Sequence, residues 1–247
     1  MCGIAGASLT ASLLDTIDGV VFTTGDHAYS NGALQDFFDC YDPFWGRHKG
    51  RTRPSPGNHD YQTPGAADYF SYFGANAGPA GRGYYSFTAG SWRVLSLNSN
   101  VPAGPGSAQL AWLRDQLTQE PAFCVAAYWH HPLVSSGRHG NNGHMRDVWR
   151  LLMEHKAELV VTGHDHTYER FAAIDENGFP SPSGVRAFVA GSGGAPLYEF
   201  ASIQPGSEVR IASWGVLKLT LRSDSYDWEF VSAAGGSGRD LGAGGCR

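Results

Sequence analysis

The sequence predicts a layered α/β sandwich with mixed sheets, and three observations support this fold class. Short apolar runs typical of buried strands alternate with amphipathic stretches typical of helices early in the chain, whereas hairpin patterns dominate later. The 247 residues include 33 glycines and 13 prolines, so many tight turns are expected. Neither a repeat nor a low-complexity linker interrupts the chain, and residues 1–247 are therefore expected to form a single domain.

Three helices are predicted from apolar residues that recur at helical spacing. The apolar face of the first helix would consist of Leu9, Leu13, Leu14 and Ile17. Ser107 can cap the second helix, and Pro121 would end it. The first helix is expected over residues 8–18 and the third over residues 145–156.

Strands are predicted where short apolar runs meet turn residues. Residues 19–24 (GVVFTT) form the first such run, which leads into Gly25 and Asp26. Residues 84–88 and 92–98 are typical of one hairpin, and residues 216–221 and 226–231 of another. Further buried strands are expected at residues 123–129, 159–162 and 185–190, and the chain from Gly235 to Cys246 is interpreted as a glycine-rich tail.

Composition and charge exclude several classes of protein. Hydrophobic residues make up 42% of the chain and charged residues 17%, which excludes a charge-rich disordered protein. The net charge of −5, without a basic run, argues against binding to nucleic acid or to an anionic membrane. No apolar run approaches the roughly 20 residues of a membrane span. Residues 1–10 lack the basic and apolar regions of a signal peptide.

The four cysteines are widely spread and form no C-x-x-C pair, which argues against a zinc knuckle or a thioredoxin-type site. Their even number fits two disulfides in an exported protein, either secreted or periplasmic. Four buried thiols in a cytosolic protein are the alternative. Of the three possible pairings we favour Cys2–Cys40 with Cys124–Cys246, because Cys246 would then pin the glycine-rich tail.

Four polar clusters, each directly after a predicted strand or loop, indicate metal chemistry. They are Gly25-Asp26-His27-Ala28-Tyr29, Gly57-Asn58-His59-Asp60, His130-His131-Pro132 and Gly163-His164-Asp165-His166. Ligands collect outside the carboxyl ends of strands in α/β folds, so clusters scattered in sequence can converge in space. Their nitrogen and oxygen donors, without a thiolate, suit zinc, iron or manganese. Each cluster alone could be a turn or a strand end, but all four in this order are far more specific.

These motifs resemble those of the calcineurin-like metallophosphoesterases, specifically the purple-acid-phosphatase-like branch. The family's blocks G-D-x-x-Y, G-N-H-[DE], H-x-P and G-H-x-H correspond here to GDHAY, GNHD, HHP and GHDH. The stretches YDPFWGR, YWHHPLVSSG and GHDHTYERF also look like bacterial secreted members, so the resemblance covers essentially the whole chain. It implies an α/β/β/α sandwich in which two mixed sheets are flanked by helices.

The resemblance also implies roles for individual residues. Asp26 would bridge two metal ions, and the other implied ligands are Tyr29 and His166 of the first ion and Asn58, His130 and His164 of the second. His59 would contact the substrate phosphate and protonate the leaving group, and His139 would face the substrate. His131 and His144 are further candidates, although His144 could instead begin the following helix.

The chain departs from the family's pattern at two points. The family's first block, an Asp at the end of a first strand, has no counterpart, because the chain begins at Met1 and its first carboxylate, Asp15, is interpreted as a surface charge. The first ion would keep three protein ligands, which is a workable number but implies weaker binding. His27 stands where relatives often have Asn. It is interpreted as a surface-loop histidine, with a substrate contact or an extra ligand as alternatives.

The expected function is hydrolysis of a small-molecule phosphate ester by a hydroxide that two metal ions (iron, zinc or manganese) activate. We expect a phosphomonoesterase, and a phosphodiesterase is the alternative because the same ions serve both reactions. A non-catalytic relative that binds metal or phosphate is the alternative of another class. A histidine-rich metal buffer is disfavoured, since a buffer needs no Asn-His-Asp motif. No motif for another cofactor or for a covalent intermediate is present.

Overall fold

The computed structural model describes residues 5–119 and 124–247, and helices alternate with strands over much of this chain. The helices are α1 (Ala5–Leu14), α2 (Leu34–Asp36), α3 (Ala67–Phe73), α4 (Ala108–Gln119) and α5 (Arg146–Glu154). The strands are β1 (Val21–Thr23), β2 (Thr52–Pro54), β3 (Tyr85–Ala89), β4 (Trp92–Ser96), β5 (Cys124–Tyr128), β6 (Leu159–Thr162), β7 (Tyr168–Ile174), β8 (Val185–Ala190), β9 (Ser207–Ile211), β10 (Gly215–Leu221), β11 (Ser225–Ser232) and β12 (Asp240–Gly245).

A seven-stranded mixed sheet with the order β3-β4-β5-β6-β8-β7-β9 forms the centre of the fold. Its middle strands β4, β5, β6 and β8 are parallel, whereas β3 and β7 are antiparallel to their neighbours β4 and β8. Every residue of β5 and β6 is buried. This explains their continuous apolar sequences, because a parallel strand in a covered sheet meets apolar groups on both faces.

Both faces of this sheet are covered, as the sandwich prediction requires. One face packs against α4 and α5 through a core that includes Leu113, Trp149 and Leu152. The other face packs against β11 through Trp228 and Phe230. Helix α1 contacts β10 of this second layer. The predicted α/β fold, with sheets flanked by helices, is therefore confirmed.

The second layer is divided into two hydrogen-bonded sheets. β1 and β2 form a parallel pair, and β10, β11 and β12 form an antiparallel sheet with β10 at one edge. A cavity of about 640 Å³ lies between β1, β10 and the seven-stranded sheet. Apolar side chains such as Phe22, Val161 and Leu217 line its strand-bound part, and Asp26 and His166 line its polar end.

Helix α1 differs from the prediction in both its limits and its buried face. It ends at Leu14, and its buried residues are mostly small: Gly6, Ala7, Thr10, Ala11 and Leu14. Leu9 and Leu13 are only partly buried. A side chain at position 6 would overlap the ring of Trp214, so close packing of the helix selects the small residues rather than the leucine stripe.

The glycine-rich tail contains a strand that the sequence did not predict. β12 pairs with β11, and Gly242 and Gly244 lie directly opposite Trp228 and Tyr226. A Cβ atom on either glycine would overlap the facing aromatic ring. The glycines therefore fit the sheet because they leave room for these rings, although glycine is usually unfavourable in strands.

The structure contains a disulfide between Cys124 in β5 and Cys246, which follows β12. The predicted Cys124–Cys246 pairing is confirmed, and the bond joins the central sheet to the end of the second layer. The predicted partner of Cys40, Cys2, lies outside the described residues. Within the described chain, no helix has both the length and the apolar character needed to cross a bilayer.

Candidate metal centre

The four polar clusters of the sequence come together at one edge of the two sheet layers. Asp26 follows β1, Asn58 follows β2, His130 follows β5, and His164 follows β6. Because β1 is parallel to β2 and β5 to β6, each pair of strands delivers its polar residues at the same end. The side chains that follow these four strands reach hydrogen-bonding distance of one another.

The Asp26 carboxylate lies at the middle of this cluster. Its Oδ2 is 3.2 Å from the hydroxyl of Tyr29 and 3.3 Å from Nε2 of His130. Its Oδ1 accepts a hydrogen bond from the backbone N–H of His59 at 2.8 Å. One carboxylate therefore contacts groups from three of the four sequence clusters.

The remaining predicted ligands form two groups on either side of Asp26. Nε2 of His166 is 3.2 Å from the hydroxyl of Tyr29 in the first group. In the second group, Nε2 of His130 is 2.9 Å from Oδ1 of Asn58 and 3.0 Å from Nδ1 of His164. The structure thus brings together all six residues that the sequence nominated as ligands.

Backbone carbonyls orient two of the histidines. Nδ1 of His130 is 2.7 Å from the carbonyl oxygen of Thr24, and Nδ1 of His166 is 2.8 Å from that of Pro196. A carbonyl oxygen only accepts, so each Nδ1 carries a proton and each Nε2 faces the cluster, where it can bind a cation once the imidazole is neutral. This arrangement is typical of histidines that bind metal through Nε2.

The backbone of the cluster is strained at two predicted ligands. Asp26 has φ 56° and His164 has φ 68°, in the left-handed region that residues other than glycine seldom adopt. Gly25, before Asp26, has no room for a side chain, since a Cβ atom there would overlap Gly57 and His130. Strained backbone of this kind is concentrated at functional sites.

The charges of the cluster also match a cation site. Burial alone would raise the pKa of Asp26, but the charge and hydrogen bond of His130 and the amide of His59 hold that pKa below its ordinary value. Burial lowers the pKa of His164 to about 2 and that of His131 to about 4, and neighbouring histidines add to the effect. An ionised carboxylate thus lies close to two imidazoles that stay neutral, the form in which histidine binds metal, whereas Asp26 raises the pKa of His130 against the effect of burial.

The two predicted substrate-facing residues lie at the rim of the cluster. Nδ1 of the half-buried His59 donates to the carbonyl oxygen of Ser30 at 2.6 Å, and its ring lies 4.4 Å from that of Tyr29. His139 is exposed, and its ring centre is 4.2 Å from that of His164.

The two further candidates, His131 and His144, have different surroundings. Ligand atoms of His131, His130 and His164 lie within 4.8 Å of one another, so His131 belongs to the cluster. Its Nδ1 is 2.8 Å from the Ser99 hydroxyl. His144 lies in a 3₁₀ turn directly before α5, and its Nε2 donates to the carbonyl oxygen of Val101.

The interpretation of His27 as a surface histidine is wrong. The side chain is buried among aromatic rings, including those of Tyr69 and Phe73. Its Nδ1 is 3.0 Å from Asp60, and its Nε2 is 2.6 Å from the hydroxyl of Thr23. His27 therefore supports the loop after β1 from behind and does not face the donor cluster.

Tyr198 is a residue of the site that sequence reasoning missed. Its ring stacks on His166 with 4.2 Å between centres and an interplanar angle of 16°. The guanidinium of Arg138 lies 5.5 Å from the same ring. Tyr198 belongs to an irregular loop without any periodic pattern, so no local signal indicates its position.

Comparison with known proteins relates this arrangement to a family. The sequence matches the model of the calcineurin-like phosphoesterases over residues 8–168. An uncharacterised protein of Mycobacterium tuberculosis is 32% identical over 181 residues, which cover 59% of this chain and 33% of that protein. Purple acid phosphatase 15 of Arabidopsis thaliana is 25% identical over 239 residues, which cover 77% of this chain and 44% of the relative. The chain therefore spans less than half the length of these two relatives.

A solved structure shows the same fold. The purple acid phosphatase isolated from yellow lupin (Lupinus luteus) seeds matches with a TM-score of 0.79 and 21% sequence identity. The match covers 96% of this chain and 48% of the lupin chain. At 21% identity, the match shows that the two chains share a fold.

Proposed function

This chain is a member of the calcineurin-like phosphoesterase family, and from that membership we propose that it hydrolyses small-molecule phosphate monoesters at a dinuclear metal centre. The observation that carries the proposal is the position of Asp26 between two groups of donors. Tyr29 and His166 lie on one side, and His130 with its neighbours lies on the other. A carboxylate with two oxygens can be shared by two ions.

The residues fit a pair of metal ions. The proposed ligands are Asp26, Tyr29 and His166 for one ion and Asp26, Asn58, His130 and His164 for the other. Their nitrogen and oxygen atoms suit zinc, iron or manganese, and the carbonyl contacts of His130 and His166 leave Nε2 free for coordination. Mutual contacts near 3 Å between these donors bring together atoms that a cation would hold.

When bound, the metal ions would lower the pKa of water and offset the charge of the phosphoryl group. The residues of the chain supply the remaining functions. His59 has Nδ1 bound to the carbonyl oxygen of Ser30, so Nε2 is the nitrogen that would deliver a proton to the leaving oxygen. His139 is exposed beside His164, where it would contact a bound phosphate ester.

The test compares hydrolysis of 4-nitrophenyl phosphate with that of bis(4-nitrophenyl) phosphate by the chelator-treated protein after addition of zinc, manganese or iron. We expect metal-dependent release of nitrophenol, faster from the monoester. Faster hydrolysis of the diester would instead identify a phosphodiesterase. Metal binding without hydrolysis of either ester would identify the non-catalytic relative and overturn the proposal.

Three variants and one control assign the roles within this test. Asp26→Ala and His164→Ala are expected to lose most bound metal and at least about a hundredfold in kcat/KM. His59→Ala should keep its metal content but turn over more slowly, because its proposed role is with the leaving group. His155→Ala, at the carboxyl end of α5, is the matched histidine control and should keep both. Loss of metal in His59→Ala would contradict the assignment of His59.

The Cys124–Cys246 bond supports a further part of the proposal, that the protein acts in an oxidising compartment. Disulfides persist in secreted and periplasmic proteins and are rare in the cytosol. The charge of −5 and the absence of a basic run favour small phosphate esters over nucleic acid as substrates. Thiol titration of the protein purified from its native host would test the compartment, since free Cys124 and Cys246 would contradict it.

A further inference from the structure

Asp165 lies between the proposed ligands His164 and His166 in sequence, but its side chain contacts a different part of the site. The residue is completely buried. Its Oδ2 accepts a hydrogen bond from the hydroxyl of Ser135 at 2.5 Å, and its Oδ1 accepts one from the backbone N–H of His139 at 2.8 Å. One carboxylate therefore fastens both ends of the loop formed by residues 135–139.

The middle of the same loop is held just as closely. Gly137 lies against the Asp165 side chain, where a Cβ atom would have no room, and its N–H donates to the Ser135 hydroxyl at 3.0 Å. The N–H of Ser136 donates to Oε2 of the buried Glu169 at 2.9 Å. These contacts leave the loop little freedom to shift relative to β7, the strand that carries Glu169.

The fixed loop presents His139, together with Arg138, to solvent. Its side chain is exposed, with its ring centre 4.2 Å from that of His164 and 5.5 Å from that of Tyr198. The bond from its backbone to Asp165 links it to the same three-residue segment that carries two proposed metal ligands. The distance between His139 and those ligands therefore depends on the Asp165 carboxylate.

We propose that Asp165 is a positioning residue that holds His139 on the substrate-facing side of the metal centre. The inference rests on the proposed hydrolase function and deepens it. The Asp165 side chain is completely buried, so it has no access to the substrate and acts through His139. Hydrogen bonds to a buried carboxylate are stronger than those between neutral groups, so this acceptor suits a loop that must be held in place.

The test is a double-mutant cycle of Asp165→Ala and His139→Ala, measured as kcat/KM for an aryl phosphate monoester. Each single variant is expected to lose about 10- to 100-fold, the usual effect of removing a group that orients a metal-site residue. The double variant should be no more than about threefold worse than His139→Ala, because the positioning residue has nothing left to position. If the loss of kcat/KM in the double variant equals the product of the two single losses, the residues act independently and the proposal is overturned.

Two further variants separate positioning from general loss of stability. Asp165→Asn keeps an acceptor of the same shape and should recover most of the loss seen in Asp165→Ala. Glu158→Ala removes another buried carboxylate that accepts two backbone N–H groups, those of Val125 and Arg247, at the opposite end of β6. It should lower the melting temperature and leave kcat/KM unchanged in either His139 background. An Asp165→Ala variant that behaves like Glu158→Ala would refute a positioning role.

Amide hydrogen exchange gives a readout that does not depend on turnover. The N–H of His139 should be protected in the wild-type protein and exchange at least about tenfold faster in both Ser135→Ala and Asp165→Ala. Ser135→Ala removes one of the two hydrogen bonds between the loop and the Asp165 carboxylate, and Asp165→Ala removes both. Unchanged exchange in both variants would overturn the proposal even if activity fell. If the wild-type protein hydrolysed no ester while exchange changed as expected, the proposed function would fail and the loop anchor would stand.

Discussion

The Asp60 carboxylate joins the two loops that follow β1 and β2. It accepts hydrogen bonds from the backbone N–H groups of Gly57 at 2.8 Å and Asp26 at 3.0 Å, and it contacts Nδ1 of His27 at 3.0 Å. All of these groups are buried or partly buried. The position of Asp26 between the two donor groups therefore depends on a side chain outside the set of proposed ligands.

Replacement of Asp60 by alanine is expected to lower both stability and metal content. The free energy of unfolding should fall by at least about 2 kcal/mol, since each buried donor left without an acceptor costs about 1–3 kcal/mol. Urea unfolding and elemental analysis would measure the two effects. Asp68→Ala is the matched control, because Asp68 accepts a hydrogen bond from the backbone N–H of Leu34. This variant should lower the free energy of unfolding by less and should keep its metal. Equal losses in both variants would contradict this account.

A second prediction about a single residue concerns Tyr29 as a metal ligand. Burial and the neighbouring Asp26 raise the pKa of the Tyr29 hydroxyl above its ordinary value, so a strongly charged cation is needed to displace its proton. A phenolate favours ferric iron among the candidate ions. We expect the ferric protein to show a visible charge-transfer band that is absent from Tyr29→Phe. Tyr198→Phe, which alters a ring stacked on His166, should keep the band. A band that survives in Tyr29→Phe would exclude Tyr29 as the ligand.

The sequence predicted the residues of the donor cluster better than the residues that support it. Asp26, Asn58, His130 and His164 were found because each follows a strand within a short motif of rare composition. The contacts of Tyr198 with His166 and of Asp165 with His139 join segments that are 32 and 26 residues apart. Such pairings depend on the tertiary path of loops, which no local pattern encodes.

At the scale of elements, every strand that the sequence predicted is present, whether its sequence is continuously apolar or alternates with polar residues. β6 and β8 have the predicted limits, and both hairpins form. β2 was missed because it is three residues long and ends in Pro54, and β12 because glycine is usually depleted from strands. In both cases packing against neighbouring strands, rather than local propensity, decides the structure.

The glycines of β12 provide a test of this packing. Gly242→Ala and Gly244→Ala should each lower the free energy of unfolding by about 1–3 kcal/mol, because the added methyl group overlaps the ring of Trp228 or Tyr226. Gly245→Ala is the matched control, since no atom lies within 4 Å of the added Cβ. Thermal unfolding of the three variants would measure the difference. Equal stability of all three would mean that the rings move aside without cost.

At the scale of the whole molecule, the Cys124–Cys246 bond spans 122 residues and connects β5 to the end of the second layer. Its removal in Cys246→Ser should lower the free energy of unfolding by about 2–5 kcal/mol, since the cross-link restricts the unfolded chain. Guanidinium unfolding of the variant and the wild type would show the difference. With reductant, the free energy of unfolding of the wild type should fall close to that of Cys246→Ser. If the reduced wild type stays more stable than the variant, the variant has lost packing at position 246 rather than only the cross-link.

The cavity between β1 and β10 has a consequence for the behaviour of the protein in concentrated solution. β10 is a seven-residue edge strand in the described chain, and its apolar Leu217, Leu219 and Leu221 border the cavity. Such an edge offers backbone groups to which a strand of another molecule can bind. Lys218, beside Glu229 on β11, is the charged residue of this strand. A charged side chain on an edge strand disfavours such pairing, so Lys218 opposes self-association along this edge.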